Sequence, residues 1–196
     1  MVKVVAESVG KRGIFKNASF SLDAGGKMAV VGANGSGKST LLRIVAGAAA
    51  PDFGAVRFFD PKGEIPPHTR YRRIAWAGPN LEFPPDITMR DALNLHFAFR
   101  TPALEINEIA KKIRLQSHFD KKLRHFSSGM LQRFKLGTAL FTQSDLLILD
   151  EPTAFMDFEN ARYVWNLIDE HLCARTFVVA TNEPAEAAKF DQSIAL

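Results

Sequence analysis

The chain has 196 residues, a formal charge of +4, and 46% hydrophobic against 23% charged residues, which excludes an intrinsically disordered chain and suits one well-filled domain. With 13 glycines and 10 prolines it is neither collagen-like nor low-complexity, and no apolar run approaches the roughly 18 residues that cross a bilayer. A single cysteine, Cys173, excludes an internal disulfide and fits a reducing compartment, while Glu7 arrives too early for a signal-peptide core, so a cytosolic location is expected.

Short apolar runs alternate with segments of helical period, the pattern of an α/β domain. Strands are predicted at 2–6, 19–22, 27–31, 55–59, 73–77, 146–150, 176–180 and 193–196. Helices are predicted to begin near Gly37, Thr88, Leu104, Ser128, Glu159 and Pro184. Residues 86–143 carry helical signals and no convincing strand, so they read as a helical insertion between strands of one sheet. Pro84-Pro85 marks its start, because consecutive prolines continue neither a strand nor a helix interior. The basic cluster His68-Thr69-Arg70-Tyr71-Arg72-Arg73 reads as a solvated loop leading into a strand, with phosphate or anionic lipid as the alternative partner. No nucleic-acid partner is expected.

The strongest local signal is Gly32-Ala33-Asn34-Gly35-Ser36-Gly37-Lys38-Ser39, a full match to G-x-x-x-x-G-K-[ST]. The apolar run Met28-Ala29-Val30-Val31 leads in, and a helical pattern from Thr40 follows. Glycines let several backbone N–H groups converge on one polyphosphate at a helix N-terminus. Lys38 supplies charge to the β- and γ-phosphates, and the Ser39 hydroxyl is a ligand for Mg²⁺. The loop is expected to bind a nucleoside triphosphate.

Leu146-Leu147-Ile148-Leu149 has the character of a central parallel strand buried on both faces, and it ends in Asp150-Glu151-Pro152. A carboxylate at that end of a strand points into the ligand crevice of an open α/β sheet. Asp150 is placed to hold Mg²⁺, and Glu151 to orient and polarise the water that attacks the γ-phosphate. Alone, a strand ending in acids is a weak signal. Paired with the phosphate loop it implies hydrolysis.

A further segment, Phe126-Ser127-Ser128-Gly129-Met130-Leu131-Gln132-Arg133, starts a helix with capping hydroxyls and free N–H groups that suit an anion. In isolation it reads rather as an ordinary capped helix.

Taken in order, these motifs resemble the ATP-binding subunits of ABC transporters along essentially the whole chain. Phe126-Ser127-Ser128-Gly129-Met130 is similar to the family's signature, usually Leu-Ser-Gly-Gly-Gln, with Met130 where glutamine is common. Ala154-Phe155-Met156-Asp157 matches the loop after the acidic motif. The resemblance implies a P-loop NTPase of ABC ATPase type, a single domain over 1–196. Its expected parts are a central mixed or parallel sheet, an inserted helical subdomain and an N-terminal antiparallel strand region. It implies ATP and Mg²⁺ as ligands, a homodimer or heterodimer of ATPase subunits, and a separate transmembrane permease at the cytoplasmic face of the membrane. Ser127, Ser128, Gly129, Met130 and Asp157 would act across the dimer on the nucleotide held by Gly32–Thr40 of the partner copy. The alternative is a soluble assembly or scaffold ATPase of the same fold without a permease.

Three departures from the family pattern bear on mechanism. Where a glutamine usually follows the strand before the insertion, the chain has Trp76-Ala77-Gly78-Pro79-Asn80-Leu81. Asn80 reads either as a shorter amide reaching the metal or as a turn residue after Pro79. Where a histidine usually follows the late strand, Val178-Val179-Ala180-Thr181-Asn182-Glu183 places Asn182, expected to position phosphate or water. Upstream of the phosphate loop, Val9-Gly10-Lys11-Arg12-Gly13 lacks the usual base-stacking aromatic. That leaves Arg12 as a stacking candidate, Phe15 as a core residue, and the choice between ATP and GTP open. None of the five histidines has a metal-ligand spacing. Phe83, Phe97, Phe99 and Phe119 read as core of the helical segment, with a permease pocket as the alternative for some rings.

Overall fold

A computed structural model describes residues 1–196, which group into two compact units. The first comprises 1–76, 144–151 and 174–196; the second comprises 77–143 and 152–173.

The first unit contains β1 (Lys3–Lys11), β2 (Phe15–Leu22), β3 (Lys27–Val31), α1 (Lys38–Val45), β4 (Phe53–Asp60), β5 (Gly63–Glu64), α2 (Pro67–Arg70), β6 (Ile74–Ala77), β7 (Leu146–Asp150), β8 (Thr176–Thr181), α7 (Pro184–Ala187) and β9 (Gln192–Ala195). Two sheets form, an antiparallel one in the order β2-β1-β4-β5 and one in the order β6-β7-β8-β3-β9. In the latter, β3 pairs in parallel with both β8 and β9, and β7 pairs in parallel with β8. Every residue of β7 and β8 is buried, which explains the apolar runs Leu146–Leu149 and Phe177–Ala180 within them. A single core joins the sheets: Val4 and Ala6 of β1, Leu41 and Leu42 of α1, and Met28, Ile148 and Val178 of the parallel strands share one buried cluster.

The antiparallel strands run longer than sequence predicts. Expected over 2–6, β1 continues to Lys11 through register shifts between Ala6, Val9 and Lys11, with Ser8 at φ +49°. The bulge lies at Glu7-Ser8, where the apolar run that marks the strand in sequence stops. The same hairpin carries β2 back to Phe15 rather than Ser19, closed by Ile14 N–H donating to Lys11 O at 3.0 Å. Where β4 passes the bulge, Gly54 has φ +71° and a Cβ there would lie 2.1 Å from Glu7 O, so only glycine fits. The two-residue β5 and one-turn α2 were not anticipated, both being too short for a period to register. The basic cluster forms α2, a 3₁₀ turn at Tyr71–Arg73 and the approach to β6. There Arg70 donates to Ile65 O and Val56 O, and Arg73 pairs with Asp60 and Asp145. Two of its arginines therefore brace local structure.

The second unit contains α3 (Met89–Phe99), α4 (Ile106–Lys112), α5 (Ser128–Leu140) and α6 (Phe158–His171). Residues 86–143 form helices and two isolated bridges, Thr88 with Lys122 and Pro102 with Thr142. Helix starts follow their caps: Thr88 accepts from Asp91 N–H at 3.1 Å, Ser127 from Met130 N–H at 3.2 Å, and Asp157 from Asn160 N–H at 2.8 Å. Ile109, Ile113, Phe134 and Leu140 are buried here. Phe119 is core and Phe83 lies edge-on to Phe134, whereas Phe99 is 82% exposed. No helix of the chain is long and apolar enough to cross a membrane.

His96 of α3 is held largely out of solvent beside Thr142, 3.0 Å from its hydroxyl. Burial, reinforced by the Arg100 charge, pushes its pKa from 6.5 down to about 4. Between those values the unfolded chain binds the extra proton, so folding free energy is full above pH 6.5 and falls as pH drops toward 4. The expected loss is at most about 3 kcal/mol. Urea midpoints measured from pH 7.5 to 4 should fall less steeply in His96→Gln than in wild type; parallel curves would show that His96 does not contribute.

Candidate nucleotide site

The phosphate loop leaves β3 and turns into α1, as sequence predicts. Gly37 precedes the helix with φ +105°, and a Cβ there would lie 2.7 Å from Ile14 and 2.9 Å from Phe15, so the hairpin tip closes against the loop through a residue without a side chain. Around this turn Asn34, Gly35, Gly37, Lys38, Ser39, Thr40, Ile14 and Glu151 line a cavity of about 430 Å³. Lys38 is 4% exposed, and its Nζ donates to Gly32 O at 2.9 Å and Ala33 O at 3.1 Å, and lies 3.8 Å from Glu151 Oε1. One ammonium thus faces both the loop carbonyls and the glutamate at the end of β7.

Asp150 ends β7 at 1% exposure. Burial raises its pKa; the nearby Ser39 hydroxyl lowers it, the Glu151 charge raises it and Lys38 lowers it. Neither carboxylate oxygen meets a donor with hydrogen-bond geometry. A buried carboxylate this poorly served by donors is costly unless a cation serves it, and its neighbour Ser39 offers a further oxygen ligand. The pair therefore fits a hard divalent cation such as Mg²⁺. Glu151 follows with φ +49°, in the left-handed region, and its N–H donates to Ala180 O at 2.9 Å. That turn directs it away from the strand line and onto the cavity wall.

Asn182 follows β8, and its Nδ2 donates to Asn34 Oδ1 at 3.2 Å, an amide pair between the late strand and the phosphate loop. Behind it the buried Thr181 hydroxyl donates to Glu186 Oε2 at 2.6 Å and accepts from Glu183 N–H at 3.0 Å, fixing the start of α7. The first unit therefore gathers Gly32–Thr40, Asp150, Glu151 and Asn182.

The remaining candidates belong to the second unit. Ser127 and Ser128 are exposed at the start of α5, with Gly129 and Met130 half-buried. The backbone of Phe155 comes close to Gly129, so the loop ending in Asp157 adjoins the serine tip. Asp157 caps α6, and hydrogen bonds from the Asn160 backbone and side chain hold its carboxyl below the usual range. Asn80 is exposed in the turn Gly78–Leu81, where Leu81 N–H donates to Gly78 O at 3.1 Å.

Val9 is buried, and Arg12 lies 5.5 Å over the ring of Phe53, which is 52% exposed. Asp52 clamps this corner, accepting from Arg12 N–H at 2.8 Å and Lys11 Nζ at 3.0 Å. Phe15 is core, as expected, and its neighbour Ile14 is the residue that reaches the cavity. Sequence reasoning missed Ile14, because nothing in a lone aliphatic distinguishes a cavity wall from a hairpin tip.

A family model described as ABC transporter matches residues 15–154. The chain belongs to that family. The stretch spans the phosphate loop, the serine-headed helix and the acidic strand end. A cytochrome c biogenesis ATP-binding export protein of Rhizobium etli is 33% identical over 180 residues, covering 87% of this chain and 82% of that protein. A Nod factor export ATP-binding protein of Paraburkholderia xenovorans is also 33% identical, over 94% of this chain and 63% of its own length. Among solved structures, a Pyrococcus furiosus ATP-binding protein described as a putative ABC transporter aligns with a TM-score of 0.80 at 21% identity, covering 99% of this chain and 97% of that one. An ATP-binding cassette solved as a dimer with ADP and Pi aligns with a TM-score of 0.81 at 22% identity, over 100% and 94%. These two likenesses establish the fold, an ABC ATPase domain with a parallel sheet, an antiparallel strand sheet and helices. As a member of the family the chain is an ATP-binding and ATP-hydrolysing subunit.

Proposed function

We propose that the chain is one ABC-type ATPase domain over residues 1–196 that works on the cytoplasmic face of a membrane, in a homodimer or as half of a heterodimer, powering a separate multi-span permease. The observation that carries the site assignment is the cavity of about 430 Å³ in which the phosphate loop, Lys38 and Glu151 converge beside the buried carboxylate of Asp150. The backbone N–H groups of 32–40 and Lys38 bind and orient the triphosphate. Ser39 and Asp150 would hold Mg²⁺, with Asn80 the further oxygen donor the sequence offers, and the ion would supply positive charge against the phosphate oxygens. Glu151 accepts the proton of the attacking water at a carboxylate oxygen. Asn182 keeps the phosphate loop in register through Asn34 and positions phosphate or water with its remaining amide valences.

Ser127, Ser128, Gly129 and Met130 act on the nucleotide of the partner copy, with Asp157 beside them at the junction. Two shared nucleotides then favour the closed pair, and their loss on hydrolysis favours opening, which is how differential affinity becomes movement. The relatives are named as ATP-binding export proteins of different systems, cytochrome c biogenesis and Nod factor, which supports a reading in which the permease supplies the cargo pocket. Mass measurement in solution tests the arrangement. Glu151→Gln with ATP is expected at twice the monomer mass and Ser127→Ala with ATP largely at monomer mass; a single mass under all conditions would refute it. Detergent extraction with the tagged chain should recover a multi-span membrane protein.

A further inference from the structure

Helix α5 buries a cation where its period calls for an apolar residue. Phe134, Leu136 and Ala139 are core, and Lys135 between them is only 8% exposed. Lysine is rarely this buried, because its ammonium must find acceptors to replace water. Lys135 Nζ finds Pro79 O at 2.8 Å, and burial holds its pKa below the ordinary lysine range while the Glu82 charge opposes that shift. Pro79 is the second residue of the turn that carries Asn80. One helical step away, Phe134 packs edge-on against Phe83 at 4.8 Å, so the segment after β6 meets α5 at two successive residues of the helix. The other end of α5 is the serine tip, capped by Ser127.

We propose that Lys135 is a positioning residue that fastens the turn carrying Asn80 to α5, so that this turn and the Ser127–Gly129 tip move as one body. Pro79 is itself an exposed residue, so water can serve its carbonyl when the lysine is absent; what the fastening removes is independent motion of the turn. An event at Asn80 therefore reaches the serine tip through a rigid thirteen-residue helix rather than through a flexible loop. This consequence for turnover rests on the reading in which the tip acts on the partner's nucleotide.

The test uses the full chain with Lys135→Met, which keeps the stem and removes the donor, Asn80→Ala, and the double variant. In nucleotide-free protein, amide exchange at Leu81 should rise about tenfold in Lys135→Met. In steady state, kcat should fall about tenfold with KM for ATP unchanged, and the double variant should be no slower than the slower single one. Unchanged exchange at Leu81, or fully additive losses in kcat, would overturn the proposal. If Lys135→Met does not fold, Lys135→Gln, with a donor of shorter reach, is read by the same criteria. Ser127→Ala separates the two ideas: full turnover in that variant rejects the tip's role across the dimer, while the exchange result still decides whether Lys135 fastens the turn.

Discussion

Glu151→Gln is expected to lower steady-state phosphate release by about a thousandfold, the ordinary worth of a positioned general base, while leaving ATP affinity within about twofold of wild type. The substitution is close to isosteric, and the backbone that aims the side chain does not depend on its charge: Glu151 N–H still bonds Ala180 O, and the left-handed φ of +49° is set by the chain leaving β7. What disappears is the carboxylate that faces the cavity 3.8 Å from Lys38 Nζ. A neutral amide cannot take a proton from water, so chemistry stops while the phosphate cradle stays whole. Colorimetric phosphate release alongside titration with a fluorescent ATP analogue separates the two effects. Turnover at more than a tenth of the wild-type rate would remove Glu151 as the base.

Lys38→Met should act in the opposite sense, on binding. Lys38 is nearly inaccessible and its ammonium is already held by Gly32 O and Ala33 O, so the charge is presented at the mouth of the loop without having to be ordered when a triphosphate arrives. A charge-assisted contact to phosphate of about 3 kcal/mol corresponds to roughly a hundredfold loss in ATP affinity. Methionine fills the same channel, so the thermal midpoint of the nucleotide-free protein should move little. Equal affinity in the two proteins would show that the backbone amides alone carry binding.

Much of this molecule is legible in one dimension because its decisive parts are contiguous. The loop 32–39 and the sequence Asp150-Glu151 each place several chemical groups within a few residues, and their strands, buried on both faces, announce themselves as apolar runs. Caps at Thr88, Ser127 and Asp157 are equally local, which is why helix starts fall within two residues of expectation. What sequence does not show is contact between distant segments. The approach of Ile14 to Gly37, the amide pair of Asn34 with Asn182, and the reach of Lys135 to Pro79 all join residues whose neighbours in the chain give no hint of a partner. The extension of β1 to Lys11 was hidden for a related reason: a bulge shifts which side chains face inward, and alternation fails where the strand continues.

The hydrogen bond between Asn182 and Asn34 has a corollary. Both partners are carboxamides, so neither gains nor loses charge in the interval where an imidazole would. A fall in pH therefore brings no change of charge to either side chain of that junction. The late strand and the phosphate loop stay joined at this corner by a fastening that takes up no protons.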